Sequence, residues 1–181
     1  MATPAERLAD SLEELRKLQE ENKTVLQTEE LSRTNRERLL ENGFLKEVIR
    51  GWYMITSPEE RQGDSTSWYS NFWHFCSRLL NEKYKENWCI SAEQSVQLHG
   101  GNWSVPGQLI VKSPEANNFK TDLLYGTSLF SMKSELPVKR ETTEIEGIRM
   151  LTLPASLIHC STNTYVQNVT DVRTALSMVT D

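Results

Sequence analysis

The chain has no apolar run near the roughly 18 residues that a bilayer span requires. It has no Cys-x-x-Cys pair, no Walker phosphate loop and no Gly-x-Gly-x-x-Gly. The first absence excludes a helical membrane protein. The second removes the zinc ribbon and the disulfide framework, because Cys76, Cys89 and Cys160 are odd in number and widely spaced. His74, His99 and His159 lie near those cysteines in sequence, but the spacings fit no familiar zinc pattern, so buried, unreactive thiols are expected and no metal. Without a glycine-rich phosphate cradle, no nucleotide cofactor is expected. The opening "MATPAERLADSLEELRK" carries acidic residues and no apolar block, which predicts no secretory signal and a cytoplasmic protein. No repeat or low-complexity tract is evident.

What is present suits a globular fold. The 181 residues, 38% hydrophobic and 25% charged, fit one ordinary domain or two small ones. A net charge of −5 argues against a nucleic-acid surface over the whole molecule. The charge is uneven, however. From Lys23 to Ile55 six basic residues meet five acidic ones, a balance of +1 that leaves −6 for the rest.

The patterning predicts an α+β protein. Thr3, Pro4 and Glu6 read as a capping box with proline at the first helical position, and Leu8, Leu12, Leu15 and Leu18 form the apolar stripe of a helix reaching about Glu21. Val25-Leu26 reads as a short extended piece. Thr28 is expected to cap a brief helix at "EELSR". Thr34 is expected to cap a second, with Glu37 as its capping-box partner, Leu39 and Leu40 facing inward and Gly43 as the left-handed stop. Phe44–Ile49 and Trp52–Ile55, joined by Arg50-Gly51, read as a hairpin. This is the outline of a winged helix-turn-helix over residues 1–57. A turn-rich segment at Ser57–Ser65 separates it from a mixed α+β domain over 65–181, read as a partner or dimer module. In that second part Trp68, Phe72, Phe75, Leu79 and Leu80 recur at helical spacing as core. Short strands and helices follow, including "WCISAEQSVQLHGG" with Ser91 as cap and Gly100 as stop, "GQLIVKS", "EGIRMLTL", "PASLIHCS" and "DVRTALSMV".

Two clusters carry candidate chemistry. His99, Asn102 and Ser104 in "LHGGNWSVPG" are close in sequence, yet a nucleophile needs a base within hydrogen-bond reach, and a helix end with a glycine turn explains the stretch. Arg33, Thr34, Asn35, Arg36 and Arg38 gather at the start of the second short helix, where a recognition helix meets base edges, with Lys46 and Arg50 on the hairpin. Arginine can bond guanine and asparagine adenine bidentately, Thr34 can reach a phosphate, and the hairpin cations can follow the backbone or minor groove. The partner would be double-stranded operator DNA. The same arginines also suit a solvated helix with Glu37 pairing Arg33 or Glu41 pairing Arg38.

The stretch "LQTEELSRTNRERLLENGFLKEVIRGWYMIT" resembles the N-terminal winged-helix domain of AbiEi-type antitoxins, with Gly43, Leu45, Arg50, Gly51 and Tyr53 on the shared pattern. "ELSRTNRERLLENGFLKEVIRGWY", "EQSVQLHGGNWSVPGQLIVKSP" and "DVRTALSMV" resemble the region preceding the catalytic domain in some bacterial Fic-family proteins. That resemblance implies association with AMP transfer to protein hydroxyls, and a Fic catalytic domain or toxin as partner. The family's His-Pro-Phe-x-x-Gly-Asn-Gly-Arg motif is absent, so it implies no catalytic residue in this chain and no activity of its own. "TTEIEG" (Thr142 to Gly147) formally matches the family's inhibitory-helix pattern, although the following "IRMLTL" predicts strand.

Overall fold

The computed structural model describes residues 3–60 and 63–179 of a mixed α+β protein. The chain divides into two compact units, Met1–Phe75 and Cys76–Asp181.

The first unit opens with α1 (Pro4–Glu20), whose capping box at Thr3 and Glu6 forms as the sequence dictates. Leu15 is buried and Leu12 and Leu18 pack beside it. Then follow β1 (Val25–Gln27), a single 3-10 turn (Thr28–Glu30), α2 (Arg33–Glu41), β2 (Leu45–Ile49) and β3 (Trp52–Ile55). The helix expected at "EELSR" is only that turn. Its N-cap is Gln27, whose amide donates to Glu30, while the Thr28 hydroxyl donates to the Gly51 carbonyl at 3.2 Å. The cap of α2 is Ser32 rather than Thr34: Ser32 Oγ accepts from the Asn35 amide at 3.2 Å. Either hydroxyl could serve by type; the backbone turns helical one residue after Ser32, which decides between them.

Helix α2 ends abruptly. The Phe44 amide donates to Leu39 O and the Gly43 amide to Leu40 O, which satisfies two of the orphan carbonyls of the last turn. Gly43 sits at φ +75°, where other residues are strained, and a Cβ there would also press on Pro58 Cα at 3.3 Å. The chain then enters an antiparallel sheet of order β1-β3-β2, with Leu26 opposite Tyr53, Lys46 opposite Met54 and an irregularity between Glu47 and Ile49. Leu15, Leu26, Leu31, Leu39, Leu45 and Tyr53 close one core. Trp68, Phe72 and Phe75 from the first part of α3 (Thr66–Tyr84) are fully buried and meet edge to face, and Trp52 joins Phe75 at 5.9 Å.

The second unit takes the rest of α3, then β4 (Cys89–Ile90), α4 (Ala92–His99), β5 (Gln108–Ser113), β6 (Phe119–Asp122), β7 (Ser128–Lys133), β8 (Thr142–Ile145), β9 (Ile148–Leu151), α5 (Leu153–His159), α6 (Thr162–Gln167) and α7 (Val169–Ser177). One sheet has the order β4-β5-β7-β6, with β5 and β7 parallel and both outer pairings antiparallel. Strands β8 and β9 form a separate hairpin.

Helix α4 organises this unit through polar side chains aimed at strand backbones. Gln94 donates to Gln108 O at 2.8 Å and accepts from Ile110 N at 3.0 Å, continuing the edge of β5 where the two-residue β4 ends. Ser95 Oγ accepts from Leu151 N, and His99 Nε2 donates to Leu151 O at 2.7 Å. Buried strand groups must find partners, and this helix supplies them. Its apolar side, Ala92 and Val96, packs with Leu151, Ala155, Leu157, Cys160, Val172 and Ala175.

Leu39 is wholly buried, so Leu39→Ala should lower the stability of the first unit by about 2–5 kcal/mol, read as a fall in the urea midpoint. An unchanged midpoint would contradict this packing.

Candidate nucleic-acid interface

The site expected on sequence grounds spans α2 and the β2–β3 hairpin. Ser11, on the buried face of α1, has no exposure, so its hydroxyl must find a partner within the protein. Its Oγ lies 2.9 Å from Asn35 Oδ1 and 3.0 Å from Arg7 O, and its single proton serves one of them at a time. Arg38 Nη1 donates to Ser11 Oγ at 2.7 Å and to Arg7 O at 2.8 Å. Asn35 Nδ2 donates to Glu14. Arg36 Nη1 donates to Thr28 O at 2.9 Å, and its guanidinium lies 5.7 Å from the centre of the Tyr53 ring.

Three of the seven sequence-selected residues, Asn35, Arg36 and Arg38, are therefore half-buried framework that ties α2 to α1 and to the turn before it. The other four face differently. Arg33 and Thr34 are exposed at the start of α2, Arg50 is exposed at the hairpin tip, and Lys46 is half-buried on β2. Arg33 Nε donates to Glu37 at 2.7 Å, and that pair holds the Glu37 carboxyl below its ordinary range and lifts the Arg33 guanidinium above its own. The two side chains are 82% and 54% exposed, so solvent screening leaves the pair loosely held. The Glu41–Arg38 alternative is not the geometry adopted, because Arg38 bonds Ser11 and Arg7 instead.

The sequence does not announce Ser11 as a partner of α2, nor that Glu14 and Tyr53, the latter on the resembled pattern, meet Asn35 and Arg36. One signal was available: a serine among Leu8, Leu12 and Leu15 on an apolar stripe demands a polar group from whatever packs there. No protein-family model, no curated protein and no solved structure matches this chain.

The second sequence cluster does not assemble. His99 is engaged with Leu151 O, Asn102 donates to the Asp171 carboxylate at 3.2 Å, and Ser104 contributes only its amide, to Asn102 Oδ1. Helix α4 does stop there, with the Gly101 amide on Leu98 O and the Asn102 amide on Gln97 O. Thr142 to Gly147 forms β8 and the turn into β9 rather than a helix. Gly147, at φ +73°, passes so close to Ser77 that a Cβ would fall 2.7 Å from its Oγ, and Ser77 donates to the Gly147 carbonyl. A cavity of about 430 Å³ lies in the second unit beside Trp88, Leu136, Lys139, Glu144 and Arg149. The cysteines are buried and unpaired; burial raises the Cys76 thiol far above its ordinary value and pushes Cys89 up to about 12.

Arg38→Ala should destabilise the first unit by about 1–3 kcal/mol, because Ser11 loses a buried partner, whereas Arg33→Ala should stay within about 0.5 kcal/mol. Urea unfolding compares them, and equal effects would refute the framework role. Cys76 and Cys89 should resist iodoacetamide at pH 8 in the folded protein and alkylate fully in guanidinium, as read by peptide mass mapping.

Proposed function

We propose that the first unit is a winged helix that contacts duplex DNA, and that the chain is a non-catalytic, antitoxin-like transcriptional regulator of a Fic-type, AMP-transferring system. The observation carrying this reading is the passage of α2, through Gly43, directly into an antiparallel hairpin whose strand β3 is backed by β1. A short helix with a β-ribbon at its end is the shape that seats a helix in the major groove and a ribbon on the flanking backbone. The contact set narrows to Arg33 and Thr34 at the helix start with Arg50 at the ribbon tip and Lys46 behind it. Asn35, Arg36 and Arg38 set the angle of the helix. The system assignment rests on the resemblance of the α2–β3 and α4–β5 segments to the region preceding Fic catalytic domains.

A second reading has an observation of its own. Glu37 and Glu41 are exposed on α2 alongside Arg33 and Thr34, and the first unit holds ten basic and fourteen acidic residues, a balance of −4. Such a face suits docking onto a protein, here a Fic catalytic domain that the module positions or restrains.

Fluorescence anisotropy with duplex DNA from upstream of the gene, across a salt series, separates the two. The DNA reading expects log K to fall with log salt at a slope of about −2 to −3, and Arg33→Glu or Arg50→Glu each to remove about one unit. Absence of salt-dependent affinity, together with co-purification with a Fic-type catalytic domain, would replace it with the docking reading.

A further inference from the structure

The last three helices leave a largely apolar surface whose charged residues are Asp171 and Arg173 on α7. From Met150 to Thr170 the chain contains no Asp, Glu, Lys or Arg. Within and just beyond that stretch Ile158, Tyr165, Val166, Val169, Leu176, Met178 and Val179 are all exposed, Ile158 by 78% and Val166 by 71%. They belong to one layer. Helices α5 and α7 send Ala155, Leu157, Val172 and Ala175 into the same core against α4, the Tyr165 hydroxyl donates to Leu157 O, and α6 joins α7 through Asn168. Ile158, Tyr165, Val166, Val169 and Leu176 are left exposed on these helices, with Arg173 between the last two. Large apolar side chains exposed this densely mark an interaction surface rather than ordinary surface scatter.

The chemistry of the patch selects its occupant. Duplex DNA and anionic lipid both need a cationic surface, and none is present between Met150 and Thr170. A two-fold interface sets a patch against its own copy, so any net charge on it would face its own sign. On this patch Asp171 and Arg173 cancel, so it carries no such penalty, while the −5 charge of the chain keeps other faces apart. The seven residues expose on the order of 600 Å², close to the roughly 800 Å² that one partner gives to a stable interface. We infer that helices α5–α7 form a two-fold interface between two copies of this chain. The inference rests on the second unit alone and stands whether or not the first binds DNA.

Sedimentation equilibrium on the full chain from 1 to 100 µM tests it, with circular dichroism to confirm folding. The wild type should weigh as a dimer. Ile158→Glu and Val166→Glu, at side chains that solvent already surrounds, should fold normally and raise the dimer dissociation constant by about 100-fold or more. Phe119→Glu, 60% exposed on β6, should leave the dimer intact. A monomeric wild type would overturn the inference and reassign the patch to a different protein. Dimers that persist in both helix variants, or dissociate equally in Phe119→Glu, would overturn it too.

Discussion

The buried hydroxyl of Ser11 is the point at which α2 is tied to α1: Arg7 O on its own helix could take its proton, yet Asn35 and Arg38 of α2 both reach it. Asn35 and Arg38 are three residues apart, so they lie on the same side of a helix, and both turn toward Ser11. With that side committed to α1, Arg33, Thr34, Glu37 and Glu41 are left facing water. Arg36 fixes the remaining freedom by reaching the carbonyl of Thr28 and the ring of Tyr53. The orientation of the helix is thus set by polar bonds, while Leu39 and its apolar neighbours supply most of the burial.

The second unit uses the same device on a larger scale. Gln94, Ser95 and His99 all lie on α4, and each bonds a strand backbone, two to Leu151 and one to β5. A histidine beside a glycine turn invites a catalytic reading, but the carbonyl it meets belongs to a structural strand. The same principle governs both units: a buried polar side chain at a helix surface tells what packs against it before it tells what the protein does.

Much of the fold could be read directly from the chain. The Thr3 box, the stop at Gly43, the Arg50-Gly51 hairpin and the Ser91 cap of α4 all formed where local chemistry put them. The readings that differed did so for local reasons. Ser32 and Thr34 both offer a hydroxyl, and only the backbone conformation distinguishes them. Strand β6 is largely exposed, so "FKTD" has no inward alternation to announce it. Helix α6 has little apolar content facing the core, with Thr164 its only buried residue. The candidate site residues were harder still, because an arginine that grips a backbone carbonyl and one exposed to solvent look alike in a sequence. Their separation required knowing that Ser11 lay across from α2.

Under the DNA reading proposed above, the firm start of α2 at Ser32 and its firm stop at Gly43 also limit how much the helix could read. Nine residues make a rod of about 13 Å. Laid along a duplex at 3.4 Å per step, it reaches about four base pairs. A word of that length recurs by chance on the order of once every few hundred positions, too often to mark one place in a genome. Any address that this helix spells must be completed by a second reader, or by the ease with which the neighbouring duplex bends.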